Sequence, residues 1–408
     1  MEQVTPAVRV LVLGAGPSQL ALLAAARREG LLVVAADRDP AAPGFRYADR
    51  RALVGAEDEP AVERLARAEG AEAIVGAASD RAAAVAARVA QRIGIPHPIA
   101  PQAAAAIASP ERRRAALLEA GVPLVEPILC RSDAEAKQAV ATIGLPCALF
   151  PVEPLAQGRI EVVRRRAEAA RAASEAIAAS RTGACTVAAL AQDAVVVTGF
   201  AVAGRVHPLT VCDRHPGQGP TTSLVWPSAL APPELGAAVE VAAAAAAAVG
   251  IDEGSATAVV LFFPDGPRLG DLSCRSGDDH EAELCRAAVG VDLNLLTLKL
   301  ALGEPVGAHE LAAARRAGGA CVRLLSAPRG ELRSVRGVEE AFALEGVAGI
   351  RIYHRPGAVF ARPTRAGAVL ATGETRDEAT ARAERAAARI RFHTVRTNPA
   401  TAGGTLGP

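Results

Sequence analysis

The sequence predicts an α/β protein whose N-terminal part is a doubly wound parallel sheet. Through about residue 96, short apolar segments alternate with segments of helical period. Strands that alternate with helices pair in parallel and carry helices on both faces of the sheet. Further along, two apolar segments flank the turn Pro-Asp-Gly-Pro at 264–267, which indicates an antiparallel hairpin. A chain of 408 residues is long enough for two or three domains.

The first turn has two interpretations. Strand Arg9–Leu13 runs into GAGPSQ at 14–19, a helix follows, and the next strand ends at Asp37. Gly-x-Gly after a strand, with an acid about twenty residues on, is typical of a dinucleotide site. Gln19 stands where the third glycine of that motif belongs. A tight turn that needs glycine for backbone reasons alone is the other interpretation.

The remaining elements follow from periodicity and from helix-capping signals. Helices are predicted over 59–69, 80–93, 110–120, 133–143, 164–180, 233–249, 281–289, 338–344 and 376–390. Strands are predicted over 51–54, 73–76, 147–151, 185–191, 195–202, 206–211, 258–263, 268–273, 321–325 and 367–372.

Composition excludes several classes of partner. The net charge is +1 and aromatic residues make up 3%, so no basic surface interleaved with aromatics indicates nucleic-acid binding. No uncharged apolar run reaches the length of about 18 residues that a membrane span needs, and no signal peptide is predicted. The seven cysteines are scattered singly, which favours reduced thiols in a cytoplasmic protein.

The polar loop at 274–280, after the predicted hairpin, holds the candidate site residues. Arg275 suits a bidentate grip on a carboxylate, and an unpaired guanidinium would be costly to bury. Asp279 and His280 follow it directly before a helix. For His280, a buried or helix-capping role and a catalytic role are both open.

The order strand, PDG turn, strand, then Arg-x-Gly-x-Asp-His before a helix resembles the metal-binding core of the ATP-grasp ligases. The carboxylate–amine ligases are the most similar, followed by relatives of biotin carboxylase and carbamoyl phosphate synthetase. Weaker motifs follow the family order from about residue 8 to 393. The resemblance implies an ATP-grasp fold. Its predicted parts are a pre-ATP-grasp domain at 1–108, a two-lobed ATP-grasp region at 109–303, a C-terminal α+β segment at 304–393 and a disordered tail at 394–408.

The resemblance also implies a magnesium site. In the family, two Glu and one Asn hold Mg²⁺, which bridges the phosphates of ATP, and an Arg grips the acyl phosphate or the acceptor. The corresponding positions here are Val259, Asp271 and Ser273, while Arg275 matches the family Arg. Asp271 is therefore either a weak Mg²⁺ ligand supported by water or a solvated residue at the end of a strand.

The positions that contact the nucleotide in the family are replaced as well. Two lysines fall at Pro110 and Phe150, and paired glutamates fall at Ala188 and Ala189. The loop at 152–158, which in the family closes over the phosphates, has a single glycine. ATP and Mg²⁺ are the implied cofactors, and these replacements predict that their binding is weak or absent here.

Three functions follow from these observations. The first is a catalytically degenerate ATP-grasp protein that binds a small molecule, such as a carboxylate, and serves as a regulatory subunit. Its partner would be an active ATP-grasp paralogue or a second copy of the chain. The second is a divergent but active ligase that forms an amide or peptide bond through an acyl phosphate. The third is a dinucleotide-dependent enzyme that uses the turn at 14–19.

Overall fold

The structure, a computed structural model, describes residues 8–152, 161–216, 221–312 and 314–395. Its first part is a parallel four-stranded sheet with the order β3-β2-β1-β4. The elements are β1 (Arg9–Leu13), α1 (Leu20–Arg28), β2 (Leu32–Ala36), β3 (Arg50–Ala52), α2 (Glu59–Glu69), β4 (Ala73–Gly76), α3 (Asp80–Ile93) and α4 (Pro101–Ala108).

Both faces of this sheet are buried, as the sequence predicts. Val10 and Val33 pack on one face with apolar residues of α1, and Leu11 and Ile74 pack on the other face with α2 and α3. Helix α3 begins after Ser79, whose side chain accepts a hydrogen bond from the backbone N–H of Ala82. The doubly wound arrangement is therefore confirmed.

A small antiparallel sheet follows. Its elements are α5 (Pro110–Glu119), β5 (Ile128–Cys130), α6 (Asp133–Ile143), β6 (Cys147–Pro151), β7 (Glu161–Val163), α7 (Ala169–Ala178) and β8 (Cys185–Ala189). The strand order is β5-β8-β6-β7. Apolar residues of α6 and α7 form one core with β5, β6, β7 and β8. Helix α7 starts at Ala169 and not at residue 164, because residues 166–168 form a 3₁₀ turn.

The central part contains the predicted hairpin. Its elements are β9 (Asp193–Val202), β10 (Arg205–Pro216), β11 (Thr221–Trp226), α8 (Pro232–Ala248), β12 (Gly254–Phe263), β13 (Gly266–Ser273), α9 (Glu281–Val289) and α10 (Leu293–Ala301). Strands β12 and β13 pair antiparallel. The segment 274–280 between β13 and α9 is the candidate loop.

The last elements are β14 (Gly319–Ala327), β15 (Gly330–Arg336), α11 (Val338–Phe342), β16 (Val347–Ile352), β17 (Val359–Phe360), β18 (Thr364–Gly373), α12 (Arg376–Arg389) and β19 (Arg391–Val395). One sheet of eight strands has the order β13-β12-β9-β10-β11-β14-β18-β16, and a three-stranded sheet has the order β17-β15-β19. Strands β11 and β14 pair across the predicted boundary at residue 303, so the two regions share a sheet.

Two expectations about chain segments have different outcomes. The predicted tail begins too early, because Thr394 pairs with Leu332, and Val395 with Glu331, as part of β19. Residues 396–408 and most of the predicted phosphate loop, 153–158, lie outside the described residues. Among the helices that the structure describes, none has the length and apolar character that crossing a membrane requires.

Candidate functional site

The hairpin β12–β13 places the two predicted metal positions opposite each other. Val259 pairs directly with Asp271 across the antiparallel strands, as the alignment with the family requires. The two side chains share a face of the sheet, since directly opposite residues project to the same side. Val259 packs against the apolar core beneath α9, whereas 64% of the Asp271 side chain is exposed.

A guanidinium, that of Arg113, lies beside Asp271, and a second carboxylate, Asp80, lies close to the same guanidinium. Arg113 of α5 places Nη1 3.5 Å from Asp271 Oδ1 and donates a hydrogen bond to the Leu272 carbonyl at 3.0 Å. The surrounding protein raises the pKa of Asp271 by desolvation, and the charge of Arg113 opposes that rise. Because most of the side chain still contacts water, we expect solvent screening to keep the shift modest.

Ser273, the third metal position, is already bonded to another part of the chain. Its Oγ donates to Asp80 Oδ1 at 2.7 Å, and Asp80 is the first residue of α3 in the N-terminal sheet domain. Asp80 also lies 3.7 Å from Arg275 Nε and 3.9 Å from Arg113 Nη1. Within the described residues, no group of three or more His, Cys, Asp or Glu side chains is placed to hold a metal ion.

The four nucleotide positions named from the sequence carry no charge. Pro110 is the first residue of α5. Phe150 lies on β6 opposite Thr186, and two positions along these strands Ala148 pairs with Ala188. Ala188 is buried and Ala189 is partly buried on β8.

Arg275 is held by two carboxylates. Its Nη1 and Nη2 donate to the two oxygens of Asp278 at 2.6 and 2.7 Å, so the bidentate geometry predicted for a ligand carboxylate is made here with a carboxylate of the same loop. Asp80 is a further acidic neighbour, at 3.7 Å from Nε. Burial by itself would lower the pKa of Arg275. The hydrogen bond and the charge of Asp278 outweigh burial, so the pKa lies above its ordinary value. Nε itself is buried and has no hydrogen-bond acceptor among the residues that the structure describes.

Asp279 points to a different set of cations. Its Oδ1 accepts from Arg365 Nη1 at 2.5 Å, and its Oδ2 lies 3.8 Å from Arg214. The Asp279 carboxylate is buried, with 9% of its side chain exposed. Arg365 comes from β18 and also donates to the carbonyl of Asp278 at 3.5 Å. The loop is therefore tied to the C-terminal segment through a buried ion pair.

His280 occupies a structural position at the start of α9. Its backbone has a positive φ of 68°, an uncommon conformation for a residue other than glycine. Its ring nitrogens bond to Glu283 and to the Tyr353 hydroxyl, and 5% of its side chain is exposed. These contacts support the buried, capping-position role among the two that the sequence left open.

Two neighbouring glutamates in α9 have pKa values shifted in opposite directions. Burial raises the pKa of Glu281, and the charge of Asp279 raises it further. Burial would also raise the pKa of Glu283, but the hydrogen bond from His280 and the charges of His280 and Arg351 lower it to about 2. The Glu283 carboxylate accepts from Arg351 at 2.8 and 2.9 Å.

A groove of about 1030 Å³ opens between the N-terminal sheet domain and the C-terminal segment. Tyr353 lies in its wall, next to the His280 contact. Charged residues line it with more bases than acids: Arg46, Arg51, Arg355, Arg362, Asp37 and Asp39. No spacing pattern in the sequence predicted this surface, because its residues come from segments about 300 positions apart.

The turn at 14–19 is packed for structural reasons. Gly14 has a φ of 106°, and a Cβ there would meet the Cβ of Ala78 at 2.6 Å. Asp37 accepts hydrogen bonds from the backbone N–H groups of Ala15 and Asp39 at 2.8 and 2.9 Å. Gln19 donates to the carbonyl of Ala77 at 2.9 Å. These contacts support the backbone interpretation of the turn over the dinucleotide one.

Comparisons with known proteins point to one family. Residues 323–395 match the family described as L-amino acid ligase C-terminal domain 2. Formate-dependent phosphoribosylglycinamide formyltransferase from Paraburkholderia xenovorans (strain LB400) is 28% identical over 420 residues, covering 94% of this chain and 95% of the relative. The enzyme of the same name from Burkholderia lata is 30% identical over 423 residues, again covering 94% and 95%.

Solved structures show the same fold at lower identity. L-amino acid ligase from Bacillus licheniformis has a TM-score of 0.74 at 16% identity, covering 97% of this chain and 100% of that one. N5-carboxyaminoimidazole ribonucleotide synthetase from Thermotoga maritima has a TM-score of 0.71 at 15% identity, covering 95% and 100%. With a 30% identical relative matched over nearly its whole length, the chain belongs to the ATP-grasp family of carboxylate–amine ligases.

Proposed function

We propose that the protein uses the ATP-grasp fold to bind a small molecule and acts as a regulatory or partner subunit without efficient ATP chemistry. One observation carries the proposal. Asp271 is the one carboxylate at the three family metal positions, and it lies beside the guanidinium of Arg113 at 3.5 Å. As a subunit, the protein would have as its partner an active ATP-grasp paralogue or a second copy of this chain.

The residues at the metal positions do not fit Mg²⁺. Magnesium requires near-octahedral oxygen coordination and is held in phosphate sites by one or two carboxylates. Val259 offers no oxygen, and the hydroxyl of Ser273 donates to Asp80. A cation bound at Asp271 would also meet the positive charge of Arg113. We therefore derive no phosphoryl-transfer step for this chain.

The nucleotide positions support the same conclusion. ATP carries about four negative charges, which ATP-grasp enzymes balance with lysines and metal. Pro110 and Phe150 stand at the two lysine positions, and neither can replace a lost cation. Phe150 instead presents carbon atoms, which stabilise by packing and leave a phosphate without a hydrogen-bond donor. Ala188 and Val259 likewise present carbon atoms at positions where the family has carboxylates.

The ligand we propose for this protein is small and has an anionic group. The groove beside Tyr353 is lined by four arginines and two aspartates, an excess of positive charge suited to a phosphate or carboxylate. The names of the relatives from Paraburkholderia and Burkholderia specify phosphoribosylglycinamide, a sugar phosphate. A phosphorylated acceptor of that kind is therefore the first compound to test.

The proposal is tested by calorimetric titration with ATP and Mg²⁺. We expect a dissociation constant of about millimolar or weaker, because both the charge complementarity and the metal ligands are missing. Carboxyaminoimidazole ribonucleotide synthase, a structural neighbour with a TM-score of 0.73 whose structure was solved as a complex with ATP, is a positive control for the titration. Micromolar ATP affinity would overturn the proposal and would mean that arginines elsewhere have replaced the two lysines.

A divergent, active ligase is the second candidate, favoured by one observation. Arg275, the family's substrate-side arginine, is present and held in a defined bidentate geometry by Asp278. An active ligase would release ADP when ATP, Mg²⁺, a carboxylate and an amine are supplied together. ADP formation above the level of an Arg275→Ala variant would favour this candidate over the regulatory one.

A further inference from the structure

Two cysteines stand directly opposite each other in the small antiparallel sheet. Cys130 is the last residue of β5, Cys185 is the first residue of β8, and the register of the two strands pairs them. Directly opposite residues of an antiparallel pair have Cα atoms about 4.5 or 5.5 Å apart and project to the same face. A disulfide needs Cα atoms about 4.4–6.8 Å apart, so the spacing of these strands already suits a bridge.

Both thiols are buried in the core that α6 and α7 form with this sheet. They are free, and they lie close enough for each to influence the pKa of the other. Burial raises the pKa of both thiols, that of Cys185 to about 11, so both are protonated at neutral pH. Because the thiolate is the reactive form, the pair reacts slowly while the sheet is closed.

The edge strand β5 provides a route to the thiols. It has three residues and, among the strands that the structure describes, pairs with β8 alone. Its middle residue, Leu129, is 45% exposed. A short edge strand of this kind opens locally at a lower free energy than the whole fold. Opening would bring Cys130 into water, where a thiol has its ordinary pKa of about 8.5, while β8 stays paired with β6.

We propose that Cys130 and Cys185 are a redox-active pair that hydrogen peroxide, or another small peroxide, converts into a disulfide. The Cys130 thiolate attacks one oxygen of the peroxide, the O–O bond breaks, and hydroxide leaves and takes up the proton that the thiol released. Cys130 is then a sulfenic acid. The sulfur of Cys185 attacks that sulfur, the S–S bond forms, the S–O bond breaks, and water leaves with the proton of Cys185. The two thiols lose two electrons in total, and one peroxide becomes two waters.

The bridge would strengthen one end of the small sheet. Ala184, next to Cys185, accepts a hydrogen bond from the backbone N–H of Val152 at 2.9 Å, and Ser180 Oγ donates to the carbonyl of Val152. The bridge would therefore join β5 to the end of β8 that also holds the end of β6. It would close a covalent loop over residues 130–185, which limits the unfolded states of this lobe. This role goes beyond the proposed function and does not depend on it.

The test treats the folded, full-length protein with an excess of hydrogen peroxide. Free thiols are then blocked with iodoacetamide under unfolding conditions, and peptides are analysed by mass spectrometry. We expect the thiol count to fall by two from the seven of the untreated chain, with a peptide that links positions 130 and 185. Dithiothreitol should restore both thiols, which separates a disulfide from irreversible sulfinic acid. Amide hydrogen exchange in β5 should slow by about tenfold or more in the oxidised protein.

Two serine variants provide the controls. Cys130→Ser should abolish the linked peptide and the reversible loss of two thiols. Cys147→Ser changes another buried cysteine of the same sheet, which pairs with Ala189 and Val163 and not with a cysteine. This variant should still lose two thiols and give the linked peptide. Both variants are first checked for a cooperative unfolding transition.

Several results would overturn the proposal. One is a thiol count that stays constant in folded protein and falls only after unfolding in urea. Others are a linked peptide that joins different cysteines, a loss that dithiothreitol does not reverse, or an equal reversible loss in Cys130→Ser. The affinity for ATP has no part in these measurements, so the redox pair and the proposed function fail or stand separately.

Discussion

The two sides of the ATP-grasp cleft differ in the kind of residue that they carry. On the nucleotide side, the side chains at the family positions are apolar, as at Phe150, Ala188 and Val259. The one acidic residue at the metal positions, Asp271, is exposed and lies beside Arg113. On the substrate side, charged residues persist and are paired with one another. The single carboxylate of Asp279, for example, contacts two arginines, Arg214 of β10 and Arg365 of β18.

The difference shows which charges the fold itself depends on. A carboxylate that binds only a metal can be replaced by an apolar residue that packs as well in the folded state. A buried carboxylate that neutralises two guanidiniums cannot be removed without leaving those charges unpaired. Stability therefore accounts for the charges on the substrate side without any ligand, and mutations can test this explanation.

The largest effect is expected for Asp279→Asn. This substitution removes the charge that balances Arg365 at 2.5 Å and Arg214 at 3.8 Å in a buried position. Breaking a buried pair by removing one partner costs about 3 kcal/mol or more. Urea-induced unfolding followed by circular dichroism should show a correspondingly lower midpoint.

Asp271→Asn on the nucleotide side is the matched control. Its side chain is 64% exposed, so the same change should alter the free energy of unfolding by no more than about 0.5 kcal/mol. Equal losses of unfolding free energy from the two substitutions would contradict the claim that the fold depends on the charges of the substrate side and not on Asp271 of the nucleotide side.

Much of the fold could be predicted because its elements are locally periodic. Helices α2, α3, α6 and α9 begin and end at the predicted residues. Helix α10 was not predicted, because an apolar helix such as LNLLTLKLA has no polar face to reveal its period. The joining of β11 to β14 was also missed, since pairing between strands almost 100 residues apart leaves no local signal.

The candidate site was predictable only where its contacts are local in sequence. Arg275 and Asp278 are three residues apart on one loop, so the sequence alone places the two charges near each other. Asp80, Arg113 and Arg365 contact the same loop or its hairpin from distant segments. Spacing arguments cannot identify such residues, because the tertiary fold alone brings them together.

Glu283 provides a pH-dependent test of the substrate side. Its pKa is about 2 in the folded protein and about 4.5 in the unfolded chain. A depressed folded pKa contributes stability that is present above pH 4.5 and is lost as the pH falls towards 2. Glu283→Gln should therefore destabilise the protein by about 3 kcal/mol at neutral pH and by little near pH 2.

Urea unfolding at several pH values measures this effect. Glu345→Gln is a suitable control, because Glu345 pairs with Arg382 while 87% of its side chain is exposed. That variant should show a small difference from the parent at every pH. A pH-independent loss for Glu283→Gln would mean that packing, and not the paired charge, accounts for the contribution of Glu283.

Glu281, two residues away, should respond with the opposite sign. Burial raises its folded pKa, so its favourable contribution is complete below pH 4.5 and is lost as the pH rises through the folded pKa. Glu281→Gln keeps an acceptor for the backbone N–H of Asp279, which now bonds to Glu281 Oε2 at 2.8 Å. The variant should be about 1 kcal/mol more stable than the parent at neutral pH. Urea unfolding of variant and parent at neutral and acidic pH measures this difference. A smaller gain over the parent at neutral pH than at acidic pH would contradict the prediction.

The smallest effect would come from rebuilding the nucleotide side. Val259→Glu places a carboxylate directly opposite Asp271, at a cross-strand distance of about 5 Å between Cβ atoms. Two opposed carboxylates repel each other until a divalent cation lies between them. With millimolar Mn²⁺ and a dissociation constant of similar size, the variant should gain about 0.4 kcal/mol in unfolding free energy. The parent chain should gain nothing in the same titration, and Val259→Gln controls for the change in shape. A metal-dependent gain in the parent would show that its nucleotide side still binds divalent cations, and the contrast between the two sides would then fail.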